Sequence, residues 1–211
     1  MKTSQYYLFG MTLILLLTFV CNGQEKIRKI EKPSVTKEQP IQLVSLEVGD
    51  KVLDNENKVL ADEDWLKNLE LNLKNTSSKT IVYIKVFLQI EAQGKMQHPL
   101  RIPLTFGQAL LTKTFKSSND KTIDIAKKLK PNESIKLSIK PSLFDSSSQF
   151  IENNEIKDIE KVKVIFDFIV FDDGTAWSQG QWMRRNPDND KRWDVIDVSK
   201  KKLISSQNYQ Y

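Results

Sequence analysis

Apolar side chains recur at every second position over long stretches of this sequence, and this alternation restricts the possible folds more than any other feature. The longest stretches are 82–90 and 162–170, and shorter ones cover 69–74 and 135–140. In the two longest, the apolar residues that share one phase are Val82, Ile84, Val86, Leu88 and Ile90, and Val162, Val164, Phe166, Phe168 and Val170. A period of two is that of a β-strand with one face in a core, whereas helical spacing would mix charged residues into these stripes.

Turn-forming residues separate the alternating stretches. Residues 75–79 (NTSSK), 130–133 (KPNE) and 172–175 (DDGT) contain the Asn, Asp, Pro and Gly that favour tight turns. The first is expected to join two antiparallel strands. The last predicts a hairpin whose second arm is 176–183.

Short strands separated by turns are typical of a sandwich rather than of βαβ units. The sequence therefore predicts an all-β fold, an immunoglobulin-like β-sandwich of about seven to nine strands. A strand is expected at 122–129, whereas 103–121 is compatible with an edge strand or a long loop. The alternation stops over 142–155, where a short helical segment is expected.

The beginning of the chain has the pattern of an export signal. Lys2 precedes an almost wholly apolar run over 8–20, and the sequence turns polar at Asn22. These features are typical of a signal peptide covering 1–23. The run is shorter than the roughly 20 residues that a membrane-spanning helix needs, and no later segment has stop-transfer character. We expect a secreted or periplasmic protein with no transmembrane helix after cleavage.

Cys21 is the only cysteine, and its fate depends on where the signal is cut. Cleavage after Gly23 would remove it. Alternatively, Cys21 is lipid-modified and anchors the protein, although Phe19 and Val20 fit poorly the small residues that usually precede a lipidated cysteine. Either way the folded domain has no intramolecular disulfide, so packing alone must hold it together.

Composition divides the remainder of the chain into three parts. Residues 24–40 are charged, lack aromatics and contain two prolines, which predicts a flexible linker. Residues 41–198 form the predicted sandwich domain, and 199–211 form a basic and polar tail. The net charge of +5 comes from 32 basic and 27 acidic residues. This mixture argues against a dedicated nucleic-acid binder, which usually clusters its positive charge.

Two segments resemble a known class of domain. LELNLKNTSSKTIVYIKVFLQIEAQGK and the later LKPNESIKLSI are similar to the FxLYD-type and related immunoglobulin-like domains of exported bacterial proteins. Asn132 replaces the glycine of the family's turn, and the Phe-x-Leu-Tyr-Asp core itself is absent. FDDGTAWSQGQWMRRNPDNDKRW is similar to the ends of exported bacterial proteins of unassigned function. The resemblance covers about 41–198 and implies the fold but no catalytic residue.

Residues that could support catalysis or bind metal are few. His98 is the only histidine, and no Gly-x-Ser-x-Gly motif accompanies it, so a surface position is expected. Without further His or Cys, zinc and most transition metals are not expected. Carboxylates at 172–173 and 188–190 suit calcium, but Arg192 and Trp193 interrupt the loop pattern and turn roles are simpler. A glycosidase pair depends on separation in space. We predict no catalytic residue, metal or cofactor.

Aromatic and guanidinium groups are concentrated in the last third of the chain. Trp rings stack on sugars or bases, and Arg pairs with phosphate or carboxylate, so these residues are candidates for ligand binding. They are Trp177, Trp182, Arg184, Arg185, Arg192 and Trp193. The competing interpretation is core packing, in which the rings fill the sandwich and the Arg stems cover its edges.

The predicted function is binding rather than catalysis. A partner protein or envelope component is expected to bind the loops or an edge strand, because sandwich edges offer unpaired backbone groups. The alternative is a carbohydrate-binding module that uses Trp177, Trp182 and Trp193. A hydrolase with unrecognised carboxylates is the third hypothesis.

Overall fold

The computed structural model describes residues 25–34, 36, 38–53, 55–107, 127–156, 158–189, 192–197 and 202–207. Within these ranges the chain forms strands, one α-helix and a 3-10 helix (65–68). They are β1 Lys26–Glu31, β2 Ile41–Val48, β3 Lys51–Val52, β4 Lys58–Ala61, the 3-10 helix Trp65–Asn68, β5 Leu69–Asn75, β6 Ile81–Ile90, β7 Leu100–Gly107, β8 Ser134–Ser138, α1 Pro141–Asn153, β9 Lys161–Phe171, β10 Thr175–Ser178, β11 Gln181–Arg185, β12 Trp193–Asp197 and β13 Lys202–Gln207.

The strands form two sheets. The smaller has the order β3-β2-β5-β8. In the larger, β9 pairs with β6 along one edge, and β6 pairs with β7. The other edge of β9 pairs first with β1, in parallel, and then with β10. From β1 the sheet continues to β4, and from β10 to β11, β12 and β13.

This architecture confirms the predicted all-β sandwich. The pairings β2-β5-β8 and β7-β6-β9-β10 have the order A-B-E and C′-C-F-G of an immunoglobulin sandwich. The described residues contain thirteen strands, more than the seven to nine expected. One reason is that 176–183 is not a single arm, because a turn with positive φ at Gln179 and Gly180 divides it into β10 and β11. The expected helical segment is α1, and Pro141 begins it.

The main core lies between the two sheets. The smaller sheet contributes the fully buried Leu69, Leu71 and Leu73 of β5, which alternate with half-buried polar residues. From the larger sheet come Ile84, Val86 and Leu88 of β6, with Val164 and Phe166 of β9, among others. Trp65 closes one end, where its indole Nε1–H donates to the Ile159 carbonyl at 2.8 Å. The alternation read from the sequence thus places one face of each of these strands in the core.

The phase of the alternation changes within β6 and β9, and here the sequence interpretation is wrong in part. Asp167 has no partner between Val86↔Phe166 and Lys85↔Phe168, so it forms a bulge. Because one extra residue reverses the side-chain direction, Ile169 enters the main core, whereas Phe168 enters a second cluster. Val82 is displaced into the same cluster by the register shift between Ile81 and Tyr83.

The second cluster is small and lies on the other side of the larger sheet. It is formed by Val82, Phe168, Val170, Ala176, Met183 and Trp193, with Tyr83 and Val195 packed beside it. Trp193 meets Phe168 edge to face, with ring centroids 5.3 Å apart. The last strands of the sheet therefore bury side chains on both faces.

Two segments predicted to be flexible form strands instead. β1 lies inside the predicted linker 24–40, pairs with β4 and β9, and buries Ile30 completely. β13 lies inside the predicted tail 199–211 and pairs with β12. The many charges of 24–40 concealed β1, since only every second side chain of a sheet strand has to be apolar.

The connection 75–79 joins two different sheets rather than neighbouring strands of one sheet. Asn75 ends β5, is fully buried, and donates from Nδ2 to the carbonyls of Lys79 (2.8 Å) and Leu129 (3.0 Å). Its Oδ1 accepts from the Ser77 N–H at 3.0 Å and from the Ser77 hydroxyl at 2.7 Å. A saturated amide of this kind fixes the crossover between the sheets.

Some predictions fall on parts of the chain that are not described. The signal peptide 1–23 with Cys21, most of the strand expected at 122–129, and most of the region 103–121 lie outside the described residues. Its first residues, 103–107, belong to β7. Within the described ranges, no helix is both long enough and apolar enough to cross a membrane.

Candidate functional site

Strand alternation divides the predicted tryptophan and arginine cluster between the two faces of the larger sheet. Trp177 and Trp182 are direct partners on β10 and β11, and both pack against the main core. Arg185 and Trp193 are partners on β11 and β12, on the side of the second cluster. Rings on opposite faces of one sheet cannot form a common binding platform.

Two of these rings are core residues. Trp177 and Trp193 are each only 1% exposed. Trp182 is half-buried and stacks on Phe171, with ring centroids 5.2 Å apart. Sugar binding needs an accessible ring face, so the carbohydrate hypothesis loses the basis that the sequence suggested.

Lys79, which the sequence interpretation missed, covers the Trp182 ring. Its ammonium lies 5.3 Å from the Trp182 centroid and 5.6 Å from that of Phe171. It also contacts Asp173 Oδ2 at 2.7 Å and Thr175 Oγ1 at 3.0 Å. Burial, the largest influence, would raise the pKa of Asp173, but hydrogen bonds from Lys79 and Thr175 together outweigh it and lower that pKa. The group therefore ties the β9–β10 turn to the start of β6.

The arginines do not converge on one site. Arg184 is exposed, and Arg185 lies over the Trp193 ring at 5.2 Å. Arg192 Nε donates to Asp194 Oδ1 at 3.2 Å. Asn186 Nδ2 donates to the other oxygen of this buried carboxylate at 2.7 Å. These contacts organise the loop between β11 and β12.

The other candidates for chemistry are dispersed. His98 is exposed, as expected. Asp172 and Asp188 are exposed on separate loops, and Asp190 lies outside the described residues. Across the part of the chain that the structure describes, no three His, Cys, Asp or Glu side chains are grouped as metal ligands.

Arg28 and Asp158 form the most buried charge pair of the described residues. Arg28 is fully buried on β1 and donates from Nη1 to the Asp158 carboxylate. Lys26 Nζ contacts the other carboxylate oxygen at 2.7 Å. Burial, the largest influence, would raise the pKa of Asp158, but these two hydrogen bonds prevail and lower it. The pair joins β1 to the segment that precedes β9.

A polar groove of about 510 Å³ crosses the outer face of the smaller sheet. In it, Lys136 Nζ bridges Glu47 (2.8 Å) and Glu70 (2.9 Å), and hydrogen bonds to these carboxylates raise the pKa of Lys136 to about 12. Three of the charges that line this groove, those of Lys136, Glu47 and Glu70, therefore pair with one another.

A slot of about 270 Å³ opens along β9, in the gap between its pairing with β1 and its pairing with β10. We call it the β9 slot. It is lined by Pro33, Ser34, Thr36, Gln39, Arg101, Lys163, Val164, Ile165, Phe166, Trp177 and Gln179. Lys163 is the last β9 residue paired with β1, and Ile169 is the first described as paired with β10. Pro33, Ser34, Thr36 and Gln39, which belong to the connection from β1 to β2, line the slot where this edge of β9 has no described strand partner.

An apolar patch lies at the opposite side of β1. Ile27 and Leu60 are cross-strand partners on β1 and β4, and they are 62% and 53% exposed. Lys51 of β3 donates from Nζ to the Leu60 carbonyl at 2.8 Å. Val52, which is 67% exposed, lies opposite Glu47 and lines the groove of the smaller sheet instead. We call Ile27, Lys29, Lys58 and Leu60 the β4 edge patch. In the sequence these residues were only isolated aliphatic side chains within charged stretches, which is a weak indication of an exposed apolar patch.

No family model, curated protein or solved structure matches this chain. The resemblance to FxLYD-type domains stays a prediction.

Proposed function

We propose that this chain is an exported, non-catalytic protein that binds a partner protein through the β4 edge patch. The observation that carries the proposal is the exposure of two large aliphatic cross-strand partners, Ile27 and Leu60, next to the edge of β4 that has no strand partner among the described residues. Scattered surface aliphatics need no explanation, but paired ones next to an open strand edge are typical of an interaction surface.

Charge around the patch indicates the chemistry of the partner. Lys29 and Lys58 lie directly opposite each other on β1 and β4, next to the Ile27 and Leu60 pair. Lys58 Nζ also contacts the Glu56 carboxylate. A partner surface with an apolar centre would cover the aliphatic side chains, and acidic residues beside it would complement these lysines.

The edge is also protected against unselective strand pairing. Lys51 donates to the Leu60 carbonyl, so this acceptor on the edge strand is already occupied. Lysine at an edge strand discourages addition of arbitrary chains. We therefore propose recognition mainly through side chains of the patch.

Binding can be tested by site-specific photo-crosslinking in the cells that produce the protein. A photoreactive residue at position 27 or 60 is expected to yield one discrete adduct with a second protein. Val44, which is 52% exposed on β2 of the other sheet, provides the matched control position. Leu60→Lys should abolish the adduct formed at position 27, whereas Val44→Lys should leave it intact. Absence of an adduct at 27 and 60, or an equal adduct at 44, would refute the proposal.

Export is supported by Lys2 and the apolar run over 8–20. The intact mass of the protein purified from these cells tests it. A chain beginning at Gln24, or an acylated chain beginning at Cys21, agrees with export, whereas retention of residues 1–23 contradicts it.

A further inference from the structure

The β9 slot combines a cationic rim with an apolar lining. Arg101 and Lys163 belong to the rim, and none of its lining residues is acidic. In the described residues neither cation has a carboxylate within salt-bridge distance; the nearby Glu31 pairs instead with Lys161 at 2.7 Å. Pro33 and the half-buried Ile165 contribute apolar surface. Such a lining complements an anionic group on an apolar body.

The position of Arg101 is fixed by its neighbours. Its Nε–H donates to Gln89 Oε1 at 3.0 Å, and its guanidinium lies 5.8 Å from the Phe87 ring centroid. Gln89 is also the cross-strand partner of Lys163. Arg101, Gln89 and Lys163 thus form one row across three strands, with the two cations on either side of the amide.

Two residues of the slot carry buried polar atoms without a partner. Among the described residues, five buried side-chain polar atoms lack a hydrogen bond, and two of them are Trp177 Nε1 and Thr36 Oγ1. A buried donor without an acceptor costs roughly 1–3 kcal/mol, so such groups need an explanation. Since an indole N–H can only donate, Trp177 requires an acceptor.

We propose that the β9 slot binds a small organic carboxylate. Its carboxylate pairs with Lys163 and Arg101 and accepts from the Trp177 indole N–H, while its apolar body lies against Pro33 and Ile165. This site shares no residue with the β4 edge patch and does not depend on the function proposed above.

The test uses the indole ¹⁵N–H signals of the purified protein. The chain has four tryptophans, and the signal of Trp177 is assigned by triple-resonance experiments and checked in Trp177→Phe. Hexanoate and phenylacetate are the carboxylate probes, and hexanol and inorganic phosphate are the controls. Saturable movement of the Trp177 signal is expected with at least one carboxylate, and not with hexanol or phosphate.

Two charge-removing substitutions separate the slot from general surface charge. Lys163→Gln removes a charge that lines the slot and should weaken carboxylate binding about tenfold, as loss of one charge-assisted hydrogen bond does. Lys74→Gln removes a charge on β5 of the smaller sheet, outside the slot, and should leave the affinity unchanged. The proposal is overturned if neither carboxylate moves the Trp177 signal at about 10 mM. It is equally overturned if hexanol or phosphate also moves the Trp177 signal, or if the two variants bind the carboxylate with the same affinity.

Discussion

Arg28 places a guanidinium inside a sandwich that has no disulfide. Its Nε and Nη1 reach the carbonyls of Ala61 (3.3 Å) and Ile159 (3.2 Å), and Nη1 also bonds Asp158. One charged group therefore connects β1, β4 and the segment before β9. Because a buried charge is tolerated only when it is paired, the stability of this junction depends on Asp158.

Asp158→Asn is expected to destabilise the protein by about 3–5 kcal/mol, since it leaves Arg28 buried without a counter-charge. Urea denaturation measures the free energy of unfolding. The control is Glu155→Gln, which breaks a pair in which both Lys95 and Glu155 are largely exposed and should cost less than about 1 kcal/mol. The double change Arg28→Met with Asp158→Asn should recover part of the loss. Equal effects of the single change and the control would contradict this role.

Stability is expected to fall on acidification in part because of Asp158. Its pKa is lower in the folded protein than its usual value, which is near 3.9 in an unfolded chain. A depressed folded-state pKa stabilises above the unfolded pKa, and this stabilisation is lost as the pH falls through the folded value. Urea denaturation at pH 7, 5, 4 and 3 should therefore show a steeper loss for the unmodified protein than for Asp158→Asn. Parallel curves would exclude this contribution.

At the scale of single residues, the sequence identified aromatic and basic side chains but not their surroundings. Trp177 and Trp193 were candidates for ligand binding and core packing alike, and the structure buries both. Lys79 carried no signal, because its contacts with Asp173 and Trp182 join residues far apart in the chain.

At the scale of elements, the bulge at Asp167 decides which side chains of β9 face the main core. Before the bulge, Val164 and Phe166 point inward and Ile165 is half-buried on the outer face. After it, Ile169 points into the main core and is fully buried. An uninterrupted alternation would have placed Ile165 and Ile169 on the same face.

The two isoleucines therefore provide a direct comparison on one strand. Ile169→Ala is expected to cost about 2–5 kcal/mol, the usual range for removing a buried aliphatic side chain. Ile165→Ala is expected to cost less than about 1.5 kcal/mol, because the half-buried Ile165 side chain buries less apolar surface than that of Ile169. Urea denaturation of both variants measures the difference. If the two losses of stability are equal, the bulge does not reverse which side chains of β9 point into the main core.

At the scale of the whole molecule, β1 is the only described strand through which β4 pairs with the rest of the larger sheet. It pairs with β4 on one side and β9 on the other, and its Ile30 belongs to the main core. The connection from β1 to β2 then crosses to the smaller sheet. The segment expected to be a linker is therefore part of the folded domain.

Truncation tests this conclusion. A chain that begins at Glu25 retains β1 and should unfold cooperatively. A chain that begins at Pro33 lacks β1, so it loses the burial of Ile30 and the Arg28 pair, and a loss of more than about 4 kcal/mol is expected. Thermal and urea unfolding, followed by circular dichroism, compare the two chains. Equal stability would restore the interpretation of 24–40 as a linker.

The sequence by itself determined the features that depend on neighbouring residues. Alternation located β5, β6, β8 and β9, and its interruption located α1. The turn at 130–133 was also predictable, because Asn132 tolerates the positive φ of 66° that the structure gives it. These features follow from local geometry, which a single stretch of sequence contains.

Only the tertiary structure decided which strands pair and which faces they present. The pairing of β1 with β9 joins residues more than a hundred positions apart, as Lys29 and Lys161 illustrate. The β9 slot lies along β9 beyond its pairing with β1, and the β4 edge patch lies where β1 pairs with β4. Because an interstrand bond requires a partner that only the fold brings close, neither surface has a pattern of its own along the chain.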